Sequence, residues 1–106
     1  MNKMLSLLGF AAKAGKLSYG MQAAKEAMNA KTAVVAIAAC DISEKSKKEV
    51  RFFAEKNSLR FLLPADVDIA AVSNAVGKKC GILTINDSGF AEAFLKAYEG
   101  GNANDK

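Results

Sequence analysis

The apolar positions of this chain follow two spacings, one typical of helices and one typical of buried strands. Near the start, apolar side chains recur at the spacing of one helix face, at Met4, Leu5, Leu7, Leu8, Ala11 and Ala12. This spacing predicts a first helix at about residues 2–14. Further on, residues 33–39 form an unbroken apolar run, and residues 81–85 are apolar apart from Thr84. Short continuous apolar runs predict strands that are buried on both faces of a sheet.

Polar and turn-forming residues divide the rest of the chain into further helices and strands. A second helix begins at Gly20 and ends near residue 30. Asp41 or Ser43 caps a third helix that ends near residue 57, and Asp66 caps a fourth that ends at Gly77. A fifth helix follows the turn at residues 86–89, and two more strands are expected, at residues 17–19 and 59–63.

This alternation of helices and strands predicts the class of fold. Helices that alternate with strands pack on both faces of one sheet, so we expect a layered α/β domain. Four strands give a small sheet, with the short strand at residues 17–19 at an edge, where it can make the sheet mixed. The length of 106 residues suits one domain, which we place at residues 1–99. The polar, Gly-rich residues 100–106 are expected to form a disordered tail.

The first residues allow a second interpretation. A basic start followed by a short apolar run resembles a signal peptide, with a cleavage site at residues 12–14. The helical spacing favours an amphipathic helix instead, and Gly15 stands where a glycine often ends a helix. No apolar stretch reaches the roughly 18 residues that a membrane span needs. We therefore expect a cytoplasmic protein with no membrane partner.

The charges are distributed unevenly along the chain. The net charge is +4, from 15 basic and 11 acidic residues, and residues 1–40 hold five lysines against a single acid, Glu26. A concentrated positive charge suits a polyanionic partner. A solvated, lysine-rich surface is the alternative explanation for the same charges.

The sequence lacks the residues on which common catalytic and metal sites depend. It contains no histidine, which is the usual general base near neutral pH. Its two cysteines, Cys40 and Cys80, adjoin apolar runs and are expected to be buried small hydrophobic groups, although a disulfide between them stays open. No dinucleotide-binding or phosphate-loop motif is present. We therefore expect neither an enzyme nor a protein that holds a metal or cofactor.

Candidate phosphate contacts lie around the second helix and in the loop after the fourth. The start of the second helix offers free N–H groups and a positive dipole end to an anion. Lysine and amide side chains near these two segments add further contacts: Lys13, Lys16, Gln22, Lys25, Asn74, Lys78 and Lys79. Because loops at one end of a layered sheet come together, we expect one surface that recognises the shape of a folded RNA.

Four segments of the chain carry a resemblance to a known family. They are residues 8–20 (LGFAAKAGKLSYG), the strand end at Cys40 and Asp41, residues 75–78 (AVGK) and residues 86–91 (NDSGFA). In their order and spacing they resemble the kink-turn RNA-binding ribosomal protein superfamily, most of all its bacterial YlxQ-like branch. The resemblance covers roughly residues 5–95.

This resemblance implies a three-layer α/β/α sandwich around a small mixed four-stranded sheet. It also implies that the start of the second helix and the loop before the last strand grip the sheared G·A pairs and the bulged strand of a kink-turn. The RNA-binding residues that we predict are Lys16, Gly20, Met21, Gln22, Lys25, Asp41, Gly77, Lys78 and Lys79.

The chain departs from the family's pattern within the second helix. The family has glycine at the helix start, then Asn, Glu and Lys further along. Here Gly20 is in place and Gln22 stands at the Asn position. Ala23 and Glu26 replace the Glu and the Lys, and Lys25 comes one residue early. A carboxylate at position 26 repels phosphate, so a weaker or different RNA target is implied.

One leading function and one alternative follow. The leading hypothesis is a non-catalytic, monomeric RNA-binding protein that recognises structured RNA, either ribosomal RNA or a kink-turn-like element. It would act in a ribonucleoprotein linked to the ribosome or to translation. The alternative is a protein-interaction module that retains the fold and has lost its affinity for RNA.

Overall fold

Residues 3–103, which the computed structural model describes, form five helices and four strands, with side chains described up to residue 99. In chain order the elements are α1 (Lys3–Lys13), β1 (Leu17–Tyr19), α2 (Gly20–Asn29), β2 (Val35–Ala38), α3 (Glu44–Lys56), β3 (Arg60–Leu62), α4 (Ile69–Val76), β4 (Ile82–Ile85) and α5 (Ser88–Ala103). The order is the predicted one. Three of the strands, β2, β3 and β4, are shorter than the runs that predicted them.

The strands form one sheet in the order β1-β4-β2-β3. β4 is antiparallel to both β1 and β2, whereas β2 and β3 are parallel. The sheet is therefore mixed, with β1 at an edge. It follows that β1, β2 and β3 all finish at the end of the sheet where β4 begins. We call this the Gly20 end, defined by Tyr19, Ala38, Leu62 and Ile82.

Helices cover both faces of the sheet. On one face α1, α4 and α5 enclose a core whose buried side chains include Leu8, Val35, Ile37, Val72, Leu83 and Phe94. On the other face α2 and α3 pack closely through mostly small buried side chains, including Ala24, Ala27, Met28, Ala36, Ala38, Val50 and Ala54. Every residue of β2 is buried, because the strand contributes alternately to both cores. The predicted α/β/α sandwich around a mixed four-stranded sheet is confirmed.

A side-chain cap fixes the start of α3. The Ser43 hydroxyl accepts a hydrogen bond from the Ser46 N–H at 3.1 Å, so Ser43 rather than Asp41 is the N-cap residue. The Asp41 carboxylate instead accepts from the Ile69 N–H at 2.8 Å. Asp41 therefore stabilises the first turn of α4 across 28 residues of chain.

The start of α4 lies later than predicted. Asp68 is its N-cap and accepts from the Ala71 N–H at 2.8 Å, so the prediction that Asp66 caps this helix is wrong. The reason is tertiary. Val67 is buried, and its carbonyl accepts from the Cys40 N–H at 2.8 Å, which holds this residue outside the helix.

The predicted C-terminal tail differs from the structure over its first residues. Helix α5 extends to Ala103, so residues 100–103 of the predicted tail have a helical backbone. No proline interrupts the sequence there. Residues 104–106 lie outside the described residues, and the boundary of the domain stays a prediction.

The two cysteines are free thiols, and both are half-buried rather than fully buried as predicted. Each lies just beyond a strand at the Gly20 end, where the loops admit solvent. Within residues 3–103, no helix is both long enough and apolar enough to cross a membrane.

Candidate nucleic-acid interface

The Gly20 end brings the start of α2 beside the loop between α4 and β4. Tyr19 pairs with Leu83 in the β1–β4 ladder, so β1 delivers Gly20 to the place where β4 begins. The Lys78 ammonium lies 4.6 Å from the centroid of the Tyr19 ring, a cation–π distance. Two segments that are far apart in sequence therefore form one surface, as predicted from the topology of layered folds.

Two glycines shape this surface. Gly20 has a φ of +87° and Gly77 a φ of +78°, a left-handed region that residues with a Cβ rarely adopt. At Gly20 this conformation lets β1 turn directly into α2 with no linker between them. At Gly77 it ends α4, and the Gly77 N–H donates to the Ser73 carbonyl at 2.9 Å. Gly20 thereby begins α2 at the Gly20 end, and Gly77 ends α4 before the loop that carries Lys78.

The first turn of α2 differs from the first turns of α3 and α4 in its capping. Tyr19, its N-cap residue, makes no side-chain capping hydrogen bond, and the first turn carries no acid. By contrast, α3 and α4 have their first N–H groups occupied by Ser43 and Asp68. The uncapped N–H groups and the dipole of α2 therefore favour an anion at this position.

Two predicted site residues in α2 have different surroundings. Met21 is half-buried against the core under α2 and α3, so it serves packing. Gln22 is exposed, and its amide donates to the Glu26 carboxylate at 3.0 Å. This contact occupies part of the hydrogen-bonding capacity of Gln22 and places a negative charge one turn further along α2.

The loop lysines are the strongest positive feature of the surface. Lys78 and Lys79 are both exposed, and neither forms an ion pair with another residue of the described segment. The Ser73 hydroxyl fixes the loop beside them, since it accepts from the Cys80 N–H at 3.1 Å and donates to the Cys80 carbonyl at 3.3 Å. Two uncompensated ammonium groups are thus presented on an ordered loop.

The thiol and the phenol nearest to the loop lysines carry no negative charge that would offset theirs. Burial raises the pKa of the Cys80 thiol, and the charge of Lys78 offsets only part of that increase. Burial likewise raises the pKa of Tyr19, and the neighbouring Cys80 raises it further. Both groups therefore stay protonated and uncharged near neutral pH.

Asp41 lies at the same end of the sheet. The Ala39 N–H donates to the Gly81 carbonyl at 2.7 Å, which holds the segment after β2 against the lysine loop. Because its carboxylate already accepts from the Ile69 N–H, Asp41 acts as a support for α4. Its negative charge makes it an unfavourable neighbour for phosphate.

The structure leaves two predicted lysines out of this surface. Lys25 points at α3, where its ammonium pairs with the Glu49 carboxylate and lies 5.0 Å from the centroid of the Phe53 ring. Lys16 is at the opposite end of β1, where its carbonyl accepts from the Asn86 N–H at 2.8 Å. Neither residue joins Gly20 and the Lys78 loop.

Lys13 and Asn74 adjoin the interface from another direction. A groove of about 270 Å³ beside Gly77 is lined by residues of α1 and α4, among them Lys13 and Asn74. This groove extends the polar surface from the lysine loop toward α1.

Tyr19 is a residue of this surface that the sequence analysis did not predict as a site residue. Its signal was its place directly before Gly20, but only the β1–β4 pairing shows that it supports Lys78.

The arrangement at the Gly20 end provides groups that can bind an anion. Among the described residues, no group of three or more Cys, Asp and Glu side chains could hold a metal ion. What the Gly20 end offers is a set of hydrogen-bond donors: backbone N–H groups, the Gln22 amide and two ammonium groups. Such donors match phosphate oxygens.

Comparisons with known proteins agree on the fold. No protein-family model and no curated protein matches the sequence. A protein of unknown function from Bacillus halodurans has a similar structure, with a TM-score of 0.88, 22% identity and coverage of 93% of this chain and 99% of the other. The Giardia lamblia 15.5kD RNA binding protein is also similar, with a TM-score of 0.71, 14% identity and coverage of 93% and 84%. At these identities the likeness shows a shared fold.

Proposed function

We propose that this protein is a non-catalytic RNA-binding protein that recognises structured RNA of the kink-turn type through the Gly20 end of its sheet. The observation that carries the proposal is that an uncapped helix start lies beside a loop whose lysines have no ion-pair partner among the described residues. The two segments meet where the Lys78 ammonium lies over the Tyr19 ring. The fold shared with an RNA-binding protein of Giardia lamblia supports the same class of partner.

The absence of catalysis rests on the chemistry of the surface. The chain contains no histidine. The raised pKa values of Tyr19 and Cys80 keep both groups protonated, so neither is a ready base or nucleophile. The remaining groups bind phosphate without transferring a proton.

The RNA target that we propose belongs to the ribosome or to translation, and the protein would bind it in the cytoplasm as a monomer. The support is the sequence resemblance to the kink-turn superfamily in residues 8–20, 40–41, 75–78 and 86–91. The Gln22–Glu26 contact distinguishes this chain from that pattern. We therefore expect a lower affinity than a site with a lysine at position 26 would have.

The test compares a kink-turn RNA with a plain duplex of equal length between 50 and 200 mM salt. We expect the kink-turn to bind about tenfold more tightly or better, and log K to fall with log salt at a slope that reflects several phosphate contacts. Equal affinities would overturn kink-turn recognition. No RNA binding at low salt, with a protein partner recovered in a pulldown, would favour the protein-interaction module.

A further inference from the structure

The outer face of α3 carries a basic stripe that the Gly20 end does not use. Lys45, Lys48, Phe52 and Lys56 are spaced by three, four and four residues, so they share roughly a quarter of the helix circumference. All four side chains are exposed. The stripe lies opposite Val50 and Ala54, which are fully buried beneath α3. We call these four residues the α3 stripe.

Phe52 is an exposed aromatic ring held in place by a packed one. It is 61% exposed, and its ring meets that of Phe53 edge to face at 5.3 Å between centroids. Phe53 packs against the core under α2 and α3, and the ammonium groups of Lys25 and Lys56 lie 5.0 and 5.6 Å from its ring. The ring of Phe52 is thus supported from beneath and open to solvent.

Two of the three acids of α3 pair with lysines outside the stripe, whereas the third, Glu55, is exposed beside the stripe and forms no ion pair with any described residue. The Glu44 carboxylate pairs with Lys47 at 3.2 Å, and Glu49 pairs with Lys25. Lys45 and Lys48 form no ion pair with any residue of the described part of the chain. A stripe about 16 Å long, from Lys45 to Lys56, therefore presents positive charge on both sides of an aromatic ring.

We propose that the α3 stripe binds single-stranded RNA, with a base stacked on Phe52 and the flanking phosphates on Lys45, Lys48 and Lys56. An aromatic ring for the base and ammonium groups for the backbone are what single-strand recognition uses. Helix α3 begins just after Asp41, at the Gly20 end, so a strand leaving the structured RNA can continue along it. The nature of the partner rests on the proposed function, but the surface is a separate one.

The test measures binding of a 12-nucleotide oligouridine at low salt. Phe52→Ala is expected to weaken binding about 5- to 100-fold, because one base loses its stacking partner. Phe10→Ala is the matched control, since Phe10 is 59% exposed but lies on α1. It should leave the affinity within about twofold. Lys48→Glu should weaken binding, whereas Lys96→Glu on α5 should have less effect. Thermal melts of each variant confirm that the fold is intact.

The oligouridine experiment on the α3 stripe can fail or succeed independently of the kink-turn experiment that tests the proposed function. Loss of oligouridine binding in Phe52→Ala, with kink-turn preference unchanged, supports the stripe as a second contact. Equal oligouridine affinities of Phe52→Ala and Phe10→Ala overturn it, whatever the kink-turn experiment gives. The stripe is also overturned if Phe52→Ala retains RNA binding but loses binding to anionic vesicles or changes the oligomeric state.

Discussion

Lys25 and Lys78 were both predicted to bind RNA, yet the structure gives them opposite surroundings. The side chain of Lys25 is only 26% exposed, and its ammonium pairs with Glu49 of α3. Lys78 is exposed, covers the uncharged ring of Tyr19 and has no carboxylate partner among the described residues. A lysine is available to phosphate only where tertiary structure leaves its charge unpaired.

The residues of α2 show the same contrast between groups available to a ligand and groups engaged in packing. Its first turn lies at the Gly20 end and receives no side-chain cap from Tyr19. The rest of α2 packs against its neighbours. Ala24 and Met28 are fully buried, and Lys25 forms an ion pair with Glu49 of α3. The helix therefore contributes its backbone to the interface, and the loop between α4 and β4 contributes the charge.

The largest effect should come from the loop lysines. Lys78→Ala with Lys79→Ala is expected to weaken binding of the structured RNA about 10- to 100-fold near 0.1 M salt, because each lost phosphate contact is worth about a factor of ten there. The salt slope should fall by up to about two. Isothermal titration or fluorescence anisotropy at several salt concentrations measures both quantities.

Lys25→Ala is the matched control for that pair. Since the Lys25 ammonium is engaged with Glu49, its loss should change RNA affinity by less than about threefold. If Lys25→Ala weakened binding as much as the double change in the loop, the contrast drawn between the two lysines would be wrong.

The fold was predictable because its signals are local. Residues 33–39 and 81–85 are apolar runs that hardly fit anything but buried strands, and Gly20 and Gly77 mark a helix start and a helix end. The errors arose from contacts across the chain. Asp66 and Asp68 are equally good caps in sequence, and long-range contacts from Cys40 to the Val67 carbonyl and from the Ile69 N–H to Asp41 favour Asp68.

The site was harder to predict than the fold for the same reason. Glu49 is 24 residues from Lys25, so nothing near Lys25 in sequence shows that its charge is taken. The support that Tyr19 gives to Lys78 depends on pairing between β1 and β4, which are more than 60 residues apart. The segments of the candidate interface could be predicted from the sequence. Which of their side chains are available to a ligand depends on tertiary contacts.

A smaller effect is expected at Glu26, whose carboxylate lowers the positive potential near the start of α2. Glu26→Gln should tighten RNA binding about two- to fivefold at low salt, because the repulsion of phosphate is removed. The gain should shrink as salt is added. Glu92→Gln on α5 is the control, since that exposed acid lies on the other face of the sheet. An unchanged affinity in Glu26→Gln would place the RNA away from α2.

The smallest expected effect is the coupling free energy of the ion pair between Lys25 and Glu49, which keeps Lys25 away from the candidate interface. In a double-mutant cycle of Lys25→Ala and Glu49→Ala, chemical denaturation should give a coupling free energy of about 0.5–1 kcal/mol, the upper range for a partly exposed ion pair. Arg60 and Glu99 form the comparison pair. Their groups are 3.4 Å apart, but both side chains are more than half exposed.

The cycle for Arg60 and Glu99 should give a coupling near zero, because solvent screens that pair more strongly. A coupling between Lys25 and Glu49 that is no larger would mean that the ammonium of Lys25 is not held by α3. Lys25 would then be free to turn toward a bound RNA, and Glu49→Ala would leave RNA affinity unchanged. If the pair is as strong as expected, Glu49→Ala should instead release Lys25 and raise the affinity slightly.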